Sequence, residues 1–416
     1  MPRPMQINAD RLSQRLADLA QIGRYHDPRQ DLWGVCRLAL TEADGQGRRH
    51  VLQRMLDLGL QVTVDQIGNV LGRRAGRDPA LAPVLIGSHI DSVPTAGRFD
   101  GCLGVLGGLE IIETLNEQGV VTERPIEVAF FTDEEGCRFG TDMLGSAVAT
   151  GRLSLEQAWG LTDRDGLRVR DELQAIGFLG DAPVHRPPPH AYLECHIEQG
   201  PILDAAGLDL GVVTGVQGIS GQELTILGRS AHAGTTPMAL RRDAGYAASA
   251  INLHIRQMCT SGRYGELRAT MGAYQPVPGL VNIVPGQVSC TVDLRNPDEA
   301  QLRAAELDLA AALDEIARQE RVEIRARPTA RTPPVAFDPA LQARIAAAAT
   351  ARGLRHQPIL SGAGHDAQEF ARICPTAMIF VPGADEGISH NPREWSSPEQ
   401  CAYGVSVLLD VVLALA

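Results

Sequence analysis

The sequence predicts an α/β fold in which a large domain with a mostly parallel sheet is interrupted by a smaller, ferredoxin-like α+β domain. The 416 residues exceed what one hydrophobic core usually supports, so two domains are expected. Apolar strand runs alternate with helical patterns in the first half, which is typical of a parallel sheet covered on both faces. From about residue 211 the order becomes β-α-β-β-α-β. We therefore predict one domain over 1–210 and 332–416, and an inserted domain over 211–331.

Composition and charge exclude several classes of protein. The chain is 44% hydrophobic and 21% charged, as folded proteins usually are. Its net charge is −12 and its Lys/Arg runs are no longer than short pairs, so we expect no nucleic-acid partner. The eight cysteines form no CxxC pair, which fits reduced thiols better than a disulfide framework.

The same sequence gives no sign of membrane targeting. The first residues are not followed by the unbroken apolar segment of a secretory signal. The most apolar stretch, 402–416, is interrupted by Ser406 and Asp410 and is shorter than the roughly 20 residues that span a bilayer. We therefore expect a cytoplasmic protein with no membrane partner.

The first elements alternate between helical and extended patterns. An amphipathic helix begins after Asn8, a favourable N-cap, and a second helix ends near Gly59. Apolar residues of the first helix recur at helical spacing: Leu12, Leu16, Leu19 and Ile22. The segment 61–73 alternates like a pair of strands, and a Gly-rich helix follows over about 103–118.

Polar side chains follow the first predicted buried strand, 84–86. His89 and Asp91 come where this strand ends, and Asp100 lies eleven residues after His89 in a loop rich in Gly and Pro. An imidazole and two carboxylates offer the ligand atoms that zinc or manganese accepts. The alternative is an ordinary polar loop that covers a strand end.

Two further clusters repeat this arrangement. A buried strand over 125–131 ends in Glu134 and Glu135, and His196 lies in a strand-to-loop segment further along the chain. Open α/β sheets bind their ligands at the carboxyl ends of the strands. The alternatives are two solvated acids and a structural histidine.

The same periodicities predict the elements of the inserted domain and of the segment after it, which belongs to the first domain. We predict strands over 222–228, 267–274, 287–295 and 322–327, with helices over 243–259 and 298–320. The chain then forms a helix over 339–352, a Gly-rich turn over 361–368 and a buried strand over 376–381. A last helix opens with Ser397 as N-cap, Pro398 at the first position and Gln400 at the third.

These segments together resemble one known family along nearly the whole chain. The matching motifs are GSHIDSV at 87–93, FDG at 99–101, TDEEG at 132–136, HIEQG at 196–200, SAHAGTTPM at 230–238, RRDA at 241–244, VNIVPG at 281–286, SGAGHDAQ at 361–368 and SHNPRE at 389–394. Their joint occurrence, in order, is similar to the amidase, hydantoinase and carbamoylase branch of the M20 metallopeptidases. That branch contains N-carbamoyl-L-amino-acid hydrolases, β-ureidopropionases and allantoate amidohydrolases.

The resemblance implies a centre that holds two divalent ions, which could be zinc, manganese, cobalt or nickel. The implied ligands are His89, Glu135, His196 and His390, with Asp100 bridging the ions. Asp91 would accept a hydrogen bond from His89 and fix its tautomer. Glu134 would be the general base.

The resemblance also implies the residues that face a small-molecule substrate. His232 would reach the active site of a second copy of the chain and stabilise the oxyanion, which implies a homodimer. Asn282 would lie near the carbamoyl or carboxyl group, and Arg295 would hold the substrate carboxylate. The remaining pocket residues would be Gln199, Gly362 and Gly364. The inserted domain would act as a lid and a dimerisation domain.

Other interpretations remain at this stage. Arg295 could form a surface ion pair with Asp298 or Glu299, and Asp243 fits a helix N-cap. The expected activity is hydrolysis of the carbamoyl C–N bond of N-carbamoyl-L-amino acids, with allantoate or β-ureidopropionate as alternative substrates. A non-catalytic binding protein would lack a ligand or the base, and a true peptidase fits the DEEG and HIEQG motifs less well.

Overall fold

A computed structural model of the chain describes residues 5–416, which alternate between strands and helices. The strands are β1 (Arg24–Asp27), β2 (Leu32–Val35), β3 (Gln61–Val64), β4 (Val70–Arg74), β5 (Val84–His89), β6 (Ile126–Phe131), β7 (Ala191–Ile197), β8 (Leu210–Val216), β9 (Gly218–Leu227), β10 (Ala231–His232), β11 (Arg268–Thr270), β12 (Tyr274–Val277), β13 (Ile283–Val284), β14 (Gln287–Asn296), β15 (Glu323–Thr332), β16 (Val335–Ala336), β17 (His356–Ser361) and β18 (Thr376–Val381). The helices are α1 (Ala9–Leu19), α2 (Glu42–Asp57), α3 (Cys102–Glu117), α4 (Leu144–Ala149), α5 (Leu155–Gly160), α6 (Val169–Ala175), α7 (Ile202–Ala205), α8 (Ala244–Thr260), α9 (Glu299–Glu320), α10 (Pro339–Ala351), α11 (Asp366–Phe370), α12 (Ala384–Gly387) and α13 (Pro398–Leu415).

The chain divides into two compact units. The larger contains the residues up to Gly215 together with Ala336–Ala416, and the smaller is Val216–Val335. The predicted boundary near residue 211 is wrong in detail, because Gly211 lies within β8, which pairs with β18 in the sheet of the larger unit. The chain leaves that unit only after this strand ends.

A nine-stranded sheet forms the centre of the larger unit. Its main path is β16-β8-β18-β7-β5-β6-β4-β3, and β17 also pairs with β8. The central strands β18, β7, β5 and β6 run parallel, while β8, β4 and β3 pair antiparallel with their neighbours. The predicted mixed α/β fold with a mostly parallel central sheet is therefore confirmed. Burial explains why the central strands are continuously apolar rather than alternating.

Helices cover this sheet, and α1 and α13 begin with the N-caps that the sequence predicted. Asn8 caps α1 by accepting the backbone N–H of Arg11, and Ser397 forms a capping box with Gln400 at the start of α13. Helix α3 contacts β5, β6 and β7 through an almost continuously buried surface. Glycines of this helix allow that close approach, since a Cβ on Gly104 would lie 2.8 Å from the side chain of Ser88.

The final helix has the length and composition to cross a membrane, and it is longer than the apolar stretch considered above. Half of its residues are buried inside the protein. It contacts α1, α3, α10, β7 and β18. The packing indicates the core helix of a globular domain.

The smaller unit has a sheet of its own. The path β11-β14-β9-β15 is antiparallel throughout, and β12 also pairs with β14. Helices α8 and α9 pack together against this sheet and enclose a separate hydrophobic core. Along β14, the side chains of Val288, Cys290, Val292 and Leu294 are buried. The intervening residues lie on the other face of the sheet, where Asp293 and Arg295 are half-buried.

The predicted strand over 267–274 is wrong as a single element. The chain forms β11 and β12 instead, which pair with different parts of β14 and are separated by Met271–Ala273. A glycine at 272 interrupts the strand pattern, as glycine often does.

Candidate active site

The candidate site lies where the parallel strands of the larger unit end. His89 is the last residue of β5, His196 precedes the last residue of β7, and β6 ends at Phe131, just before the turn that carries Glu134 and Glu135. Because β6, β5 and β7 are neighbouring parallel strands, their carboxyl ends meet at one edge.

Asp100 lies at the centre of this edge. Its Oδ1 is 3.4 Å from His89 Nε2 and 3.2 Å from His196 Nε2. Its Oδ2 is 3.3 Å from His390 Nε2, which in turn is 3.3 Å from Glu135 Oε2. One carboxylate therefore joins two groups of possible metal ligands: His89, Asp100 and His196, and Asp100, Glu135 and His390. All five ligands implied by the resemblance meet here.

Hydrogen bonds orient the two buried imidazoles toward Asp100. His89 Nδ1 lies 3.0 Å from the backbone carbonyl of Asp91, and His196 Nδ1 lies 2.8 Å from that of Ile197. Each Nδ1 therefore carries the proton, and each Nε2 keeps its lone pair. The backbone N–H of Gly101 donates to His196 Nε2, which fits this tautomer.

The donor set fits a divalent cation. Three imidazoles and two carboxylates offer nitrogen and oxygen ligands within a small volume, and Glu135 Oε1 is buried without a hydrogen-bond partner. An unpaired buried carboxylate oxygen is unfavourable unless a cation or a donor satisfies it. A divalent ion at this edge would supply that partner.

The charges of the cluster support the same conclusion. Burial raises the pKa of Asp100, but contacts with His196, His390 and His89 outweigh burial and hold it well below its usual range. Contacts with Asp100 and Glu135 raise the pKa of His390 to about 10. The edge is thus a place where carboxylates stabilise positive charge.

Glu134 lies beside the ligands. Its Oε2 is 3.6 Å from His89 Nε2, and burial raises the pKa of its carboxyl well above the usual value. Adjacent residues of an extended strand would point to opposite sides, but Asp133 has a left-handed φ of 53°. The backbone turns there, so Glu134 and Glu135 both reach the cluster and contact different histidines.

Asp91 accepts a hydrogen bond from His89, as predicted, and the accepting atom is its backbone carbonyl. The backbone carbonyl of Asp91, rather than its carboxylate, lies opposite His89 Nδ1, and the nearest carboxylate oxygen is 3.8 Å away. The carboxylate instead accepts the backbone N–H groups of Glu134 and Glu135, at 3.3 and 3.4 Å. Asp91 therefore fixes the histidine tautomer and the turn at Asp133 at the same time.

Gln199 contacts the ligand cluster. The two predicted glycines, Gly362 and Gly364, lie in a turn of the larger unit. Gln199 Nε2 donates to Asp100 Oδ2 at 2.7 Å, and Gln199 Oε1 is buried without a partner. That oxygen could accept a hydrogen bond from an amide N–H of a ligand. Gly362 and Gly364 lie in the turn between β17 and α11. A Cβ on Gly364 would meet the Met143 side chain at 3.2 Å.

Sequence reasoning missed a support formed by Glu394 and Ser389. Glu394 Oε1 accepts the backbone N–H groups of Phe99 and Asp100, at 2.9 and 3.2 Å. Its Oε2 is 2.8 Å from Ser389 Oγ, which also lies 3.0 Å from Asp100 Oδ2. One buried carboxylate thus ties the loop of Asp100 to the loop of His390. The SHNPRE motif contained both residues, but the motif alone did not show what they contact.

A second missed group lies on the other side of His196. The buried carboxylate of Glu194 accepts the Ser88 hydroxyl at 2.7 Å and the backbone N–H of Ala367 at 3.0 Å. The ring of His365 packs edge-on against His196, with centroids 4.5 Å apart, and its Nε2 is 2.9 Å from Ser361 Oγ. A polar residue within the apolar strand β7 was the available signal for Glu194.

The smaller unit contains the other predicted residues. His232 is exposed, and its Nδ1 accepts the backbone N–H groups of Gly234 and Thr235, at 3.0 and 3.2 Å. In the neutral ring, Nε2 therefore carries the proton and can donate it. Asn282 is also exposed, and its carbonyl accepts the backbone N–H of Ala233. Pairing of β10 with β13 places Ile283 opposite His232, and Asn282 is the next residue along the chain.

Arg295 lies on β14, on the sheet face opposite the helices. Its Nε donates to Asp293 Oδ1 at 2.8 Å, and the guanidinium is about one third exposed. The alternative of a surface ion pair is confirmed with another acid, Asp293, since Glu299 pairs with Arg303 and Arg331 and Asp298 caps α9. Asp243 caps α8 by accepting the backbone N–H groups of Gly245 and Tyr246, as predicted.

Comparison with known proteins gives a consistent result. Residues 85–414 match the model of peptidase family M20/M25/M40. An N-carbamoyl-L-amino-acid amidohydrolase of Rhizobium meliloti is 41% identical, with 99% of this chain and 97% of that protein covered. An allantoate amidohydrolase of Bacillus subtilis is 33% identical, with 96% and 95% covered. The crystal structure of an amidase of the hydantoinase/carbamoylase family from Burkholderia multivorans has a TM-score of 0.93 at 44% identity, with 99% and 98% covered.

Proposed function

The chain belongs to peptidase family M20/M25/M40 and is a hydrolase that acts on amide bonds, and we propose that it hydrolyses the carbamoyl C–N bond of N-carbamoyl-L-amino acids. The products are the free amino acid, carbon dioxide and ammonia. The observation that carries this proposal is the position of Asp100 between two ligand groups, with Glu134 beside them. The binding-protein alternative is disfavoured because every implied ligand and the base are present.

Two divalent ions fit the cluster. His89, His196 and Asp100 would hold one ion, and Asp100, Glu135 and His390 would hold the other. Bound there, such ions polarise a carbonyl oxygen and lower the pKa of a water molecule. Imidazole and carboxylate ligands suit zinc, manganese, cobalt and nickel.

Glu134 moves the proton. Its carboxylate lies at the edge of the cluster and is not needed as a ligand, so it can take a proton from the attacking water. Water adds its oxygen to the carbamoyl carbon, and the C–N bond then breaks. Glu134 returns the proton to the departing nitrogen, so that the carboxylate ends the cycle as it began.

The smaller unit supplies the groups that recognise the substrate. Arg295 presents a planar guanidinium that can bind a carboxylate through two parallel hydrogen bonds, and Asn282 offers an amide to the carbamoyl or carboxyl group. His232 carries its proton on Nε2 and donates a hydrogen bond from it to the developing oxyanion. In this proposal the smaller unit, a ferredoxin-like insertion, acts as the lid.

The active form is a homodimer in this proposal. Helix α8 buries one face against the sheet of the smaller unit, while Tyr246 and Leu253, two turns apart on the helix, are each 60% exposed. Val281 and Leu280 add exposed apolar side chains next to Asn282. Such a surface fits a second copy of the chain, to whose active site His232 would contribute. We place the enzyme in the cytoplasm.

Mixing two inactive variants tests the shared site. Glu134→Gln and His232→Ala homodimers should each be nearly inactive, whereas a mixed dimer contains one site with both native residues. Refolding or co-expressing the two variants together should restore up to about a quarter of the wild-type activity. Absence of any recovery in verified mixed dimers would mean that His232 does not serve the partner's site.

Ammonia release identifies the substrate. Purified protein loaded with manganese or cobalt is given N-carbamoyl-L-methionine or allantoate at equal concentration. We expect faster release from the carbamoyl amino acid. Faster release from allantoate would keep the metal centre and the base but overturn the substrate assignment. β-Ureidopropionate should be included, because one methylene gives only roughly 1–3 kcal/mol of discrimination.

A further inference from the structure

A cavity lies in the larger unit, and Glu394, which contacts the loop of Asp100, is among its lining residues. Its volume is about 240 Å³. The hairpin β1–β2 and the segment after His390 form its walls. Its lining includes Arg24, Trp33, Val35, Arg98, Pro392 and Trp395.

Two arginine–tryptophan stacks face this cavity. The Arg24 guanidinium carbon lies 4.0 Å from the centroid of the Trp33 ring. That of Arg98 lies 4.5 Å from Trp395 and 5.1 Å from Phe99. Stacking holds each guanidinium plane in place while its N–H groups remain at the edge, where they can donate.

Neither guanidinium has a carboxylate partner. Arg24 donates to the side chain of Gln21 at 3.0 Å, and neither Arg24 nor Arg98 forms an ion pair within residues 5–416. Glu394 also lines the cavity, but its two oxygens accept the backbone N–H groups of Phe99 and Asp100 and contact Ser389. In contrast, the buried guanidiniums of Arg15 and Arg48 are paired with acids, and that of Arg37 donates to three backbone carbonyls.

We propose that this cavity binds a small oxyanion, either a carboxylate or a phosphate. Two guanidiniums that stack on tryptophans and line one cavity match the planar, bidentate geometry that these anions share. Val35 and Pro392 supply an apolar wall for a short organic body. The chain has a net charge of −12, so the general field of the protein repels anions, and Arg24 and Arg98 oppose that repulsion at this cavity.

The site is connected to the loop of Asp100 through the backbone. Val35 and Ala96 exchange both backbone hydrogen bonds, at 2.9 and 3.1 Å, and Arg98 lies in the same loop. An anion held between Arg24 and Arg98 would therefore join the hairpin to this loop. Anion binding at this cavity does not depend on the hydrolytic activity.

Intrinsic fluorescence tests the proposal directly. The chain has three tryptophans, and two of them, Trp33 and Trp395, line the cavity, while Trp159 lies elsewhere. Sodium phosphate and sodium succinate are titrated into the metal-loaded protein at constant ionic strength, with sodium chloride as reference. We expect a saturable change in emission with phosphate or with succinate, and the anion that produces it identifies the class.

Variants place the signal in the cavity. Arg24→Gln and Arg98→Gln lie on different elements, and each should raise the apparent Kd at least tenfold, because each removes a charge-assisted contact. Arg170→Gln is the matched control: Arg170 stacks on Trp159 at 4.7 Å, without a second guanidinium beside it, and its loss should leave Kd unchanged. No saturable change with either anion, or an unchanged Kd in both Arg24→Gln and Arg98→Gln, would overturn the proposal.

Discussion

The ligand cluster and the residues of the smaller unit that we propose to face the substrate are built in different ways. His89 and His196 are almost completely buried, and each ring is fixed by a hydrogen bond to a backbone carbonyl. His232 and Asn282 are exposed, and Arg295 is about one third exposed. Side chains of the first region are held by neighbouring protein groups, whereas the second region presents its groups to solvent.

The two regions fit different tasks: metal binding and proton transfer in the first, and substrate recognition in the second. Groups that hold charge or move a proton need fixed positions and a dry environment, which strand ends within a core provide. Groups that select a substrate can lie on a separate unit with its own core. Changes in the first region should therefore alter turnover and metal content, and changes in the second should alter KM.

The largest effect is expected at the base. Glu134→Gln keeps the shape of the side chain but cannot accept a proton, so kcat should fall roughly 10²–10⁴-fold while the metal content stays unchanged. Activity assays on metal-replete protein and elemental analysis measure the two quantities. Substantial turnover in the fully loaded variant would remove Glu134 from this role.

A smaller effect, and one on a different constant, is expected at Arg295. Arg295→Gln should raise KM by up to about 100-fold with little change in kcat, because a charge-assisted contact to the substrate carboxylate is lost. Arg325→Gln is the control, since Arg325 lies in the same sheet and pairs only with the exposed Glu323. An unchanged KM for Arg295→Gln would mean that the carboxylate is bound by another group.

The support of the Asp100 loop should matter less. Glu394→Ala leaves the backbone N–H groups of Phe99 and Asp100 without their acceptor, so metal affinity should fall about tenfold. Glu394→Gln keeps an acceptor oxygen and should restore most of the affinity. Glu386→Ala, an exposed residue of the neighbouring segment, serves as control. Equal metal affinities for wild type and Glu394→Ala would assign Glu394 no positioning role.

The smallest effect concerns stability away from the site. Burial raises the pKa of Asp65 from 3.8 to about 7, so the folded protein holds a proton that the unfolded chain releases at lower pH. Stability from this group is present at low pH and is lost as pH rises through 7, by roughly 2 kcal/mol between pH 5.5 and 8. Urea unfolding should show a slope that is smaller in Asp65→Asn than in wild type by about this amount, and Asp57→Asn should behave like wild type.

Sequence patterns predicted the parts of the fold that depend on local chemistry. The caps at Asn8 and Ser397 and the buried strands at 84 and 376 follow from residue types that have few alternatives. The hairpin β1–β2 was not predicted, because its residues are largely exposed and alternate weakly. The boundary at residue 211 was wrong because an apolar strand does not show in sequence which sheet it joins.

The site shows the same division between local and long-range information. Imidazoles and carboxylates near strand ends indicated a metal site at His89, Asp100, Glu134, Glu135 and His196, whereas His390 and the role of each residue came from the family resemblance. The supporting contacts join residues far apart in the chain, such as Glu394 with Phe99. Atom-level assignments were also beyond the sequence, since a pattern cannot distinguish the carbonyl of Asp91 from its carboxylate.

The central claim is that one carboxylate joins two metal-binding groups. Its most direct test is the metal stoichiometry of wild type and Asp100→Asn, measured by calorimetric titration of metal-free protein with zinc or manganese. We expect two ions per chain for wild type. In Asp100→Asn, tight binding should be lost at both positions, because Asp100 Oδ1 and Oδ2 face different ligands. Two tightly bound ions in Asp100→Asn, or a single ion in wild type, would contradict it.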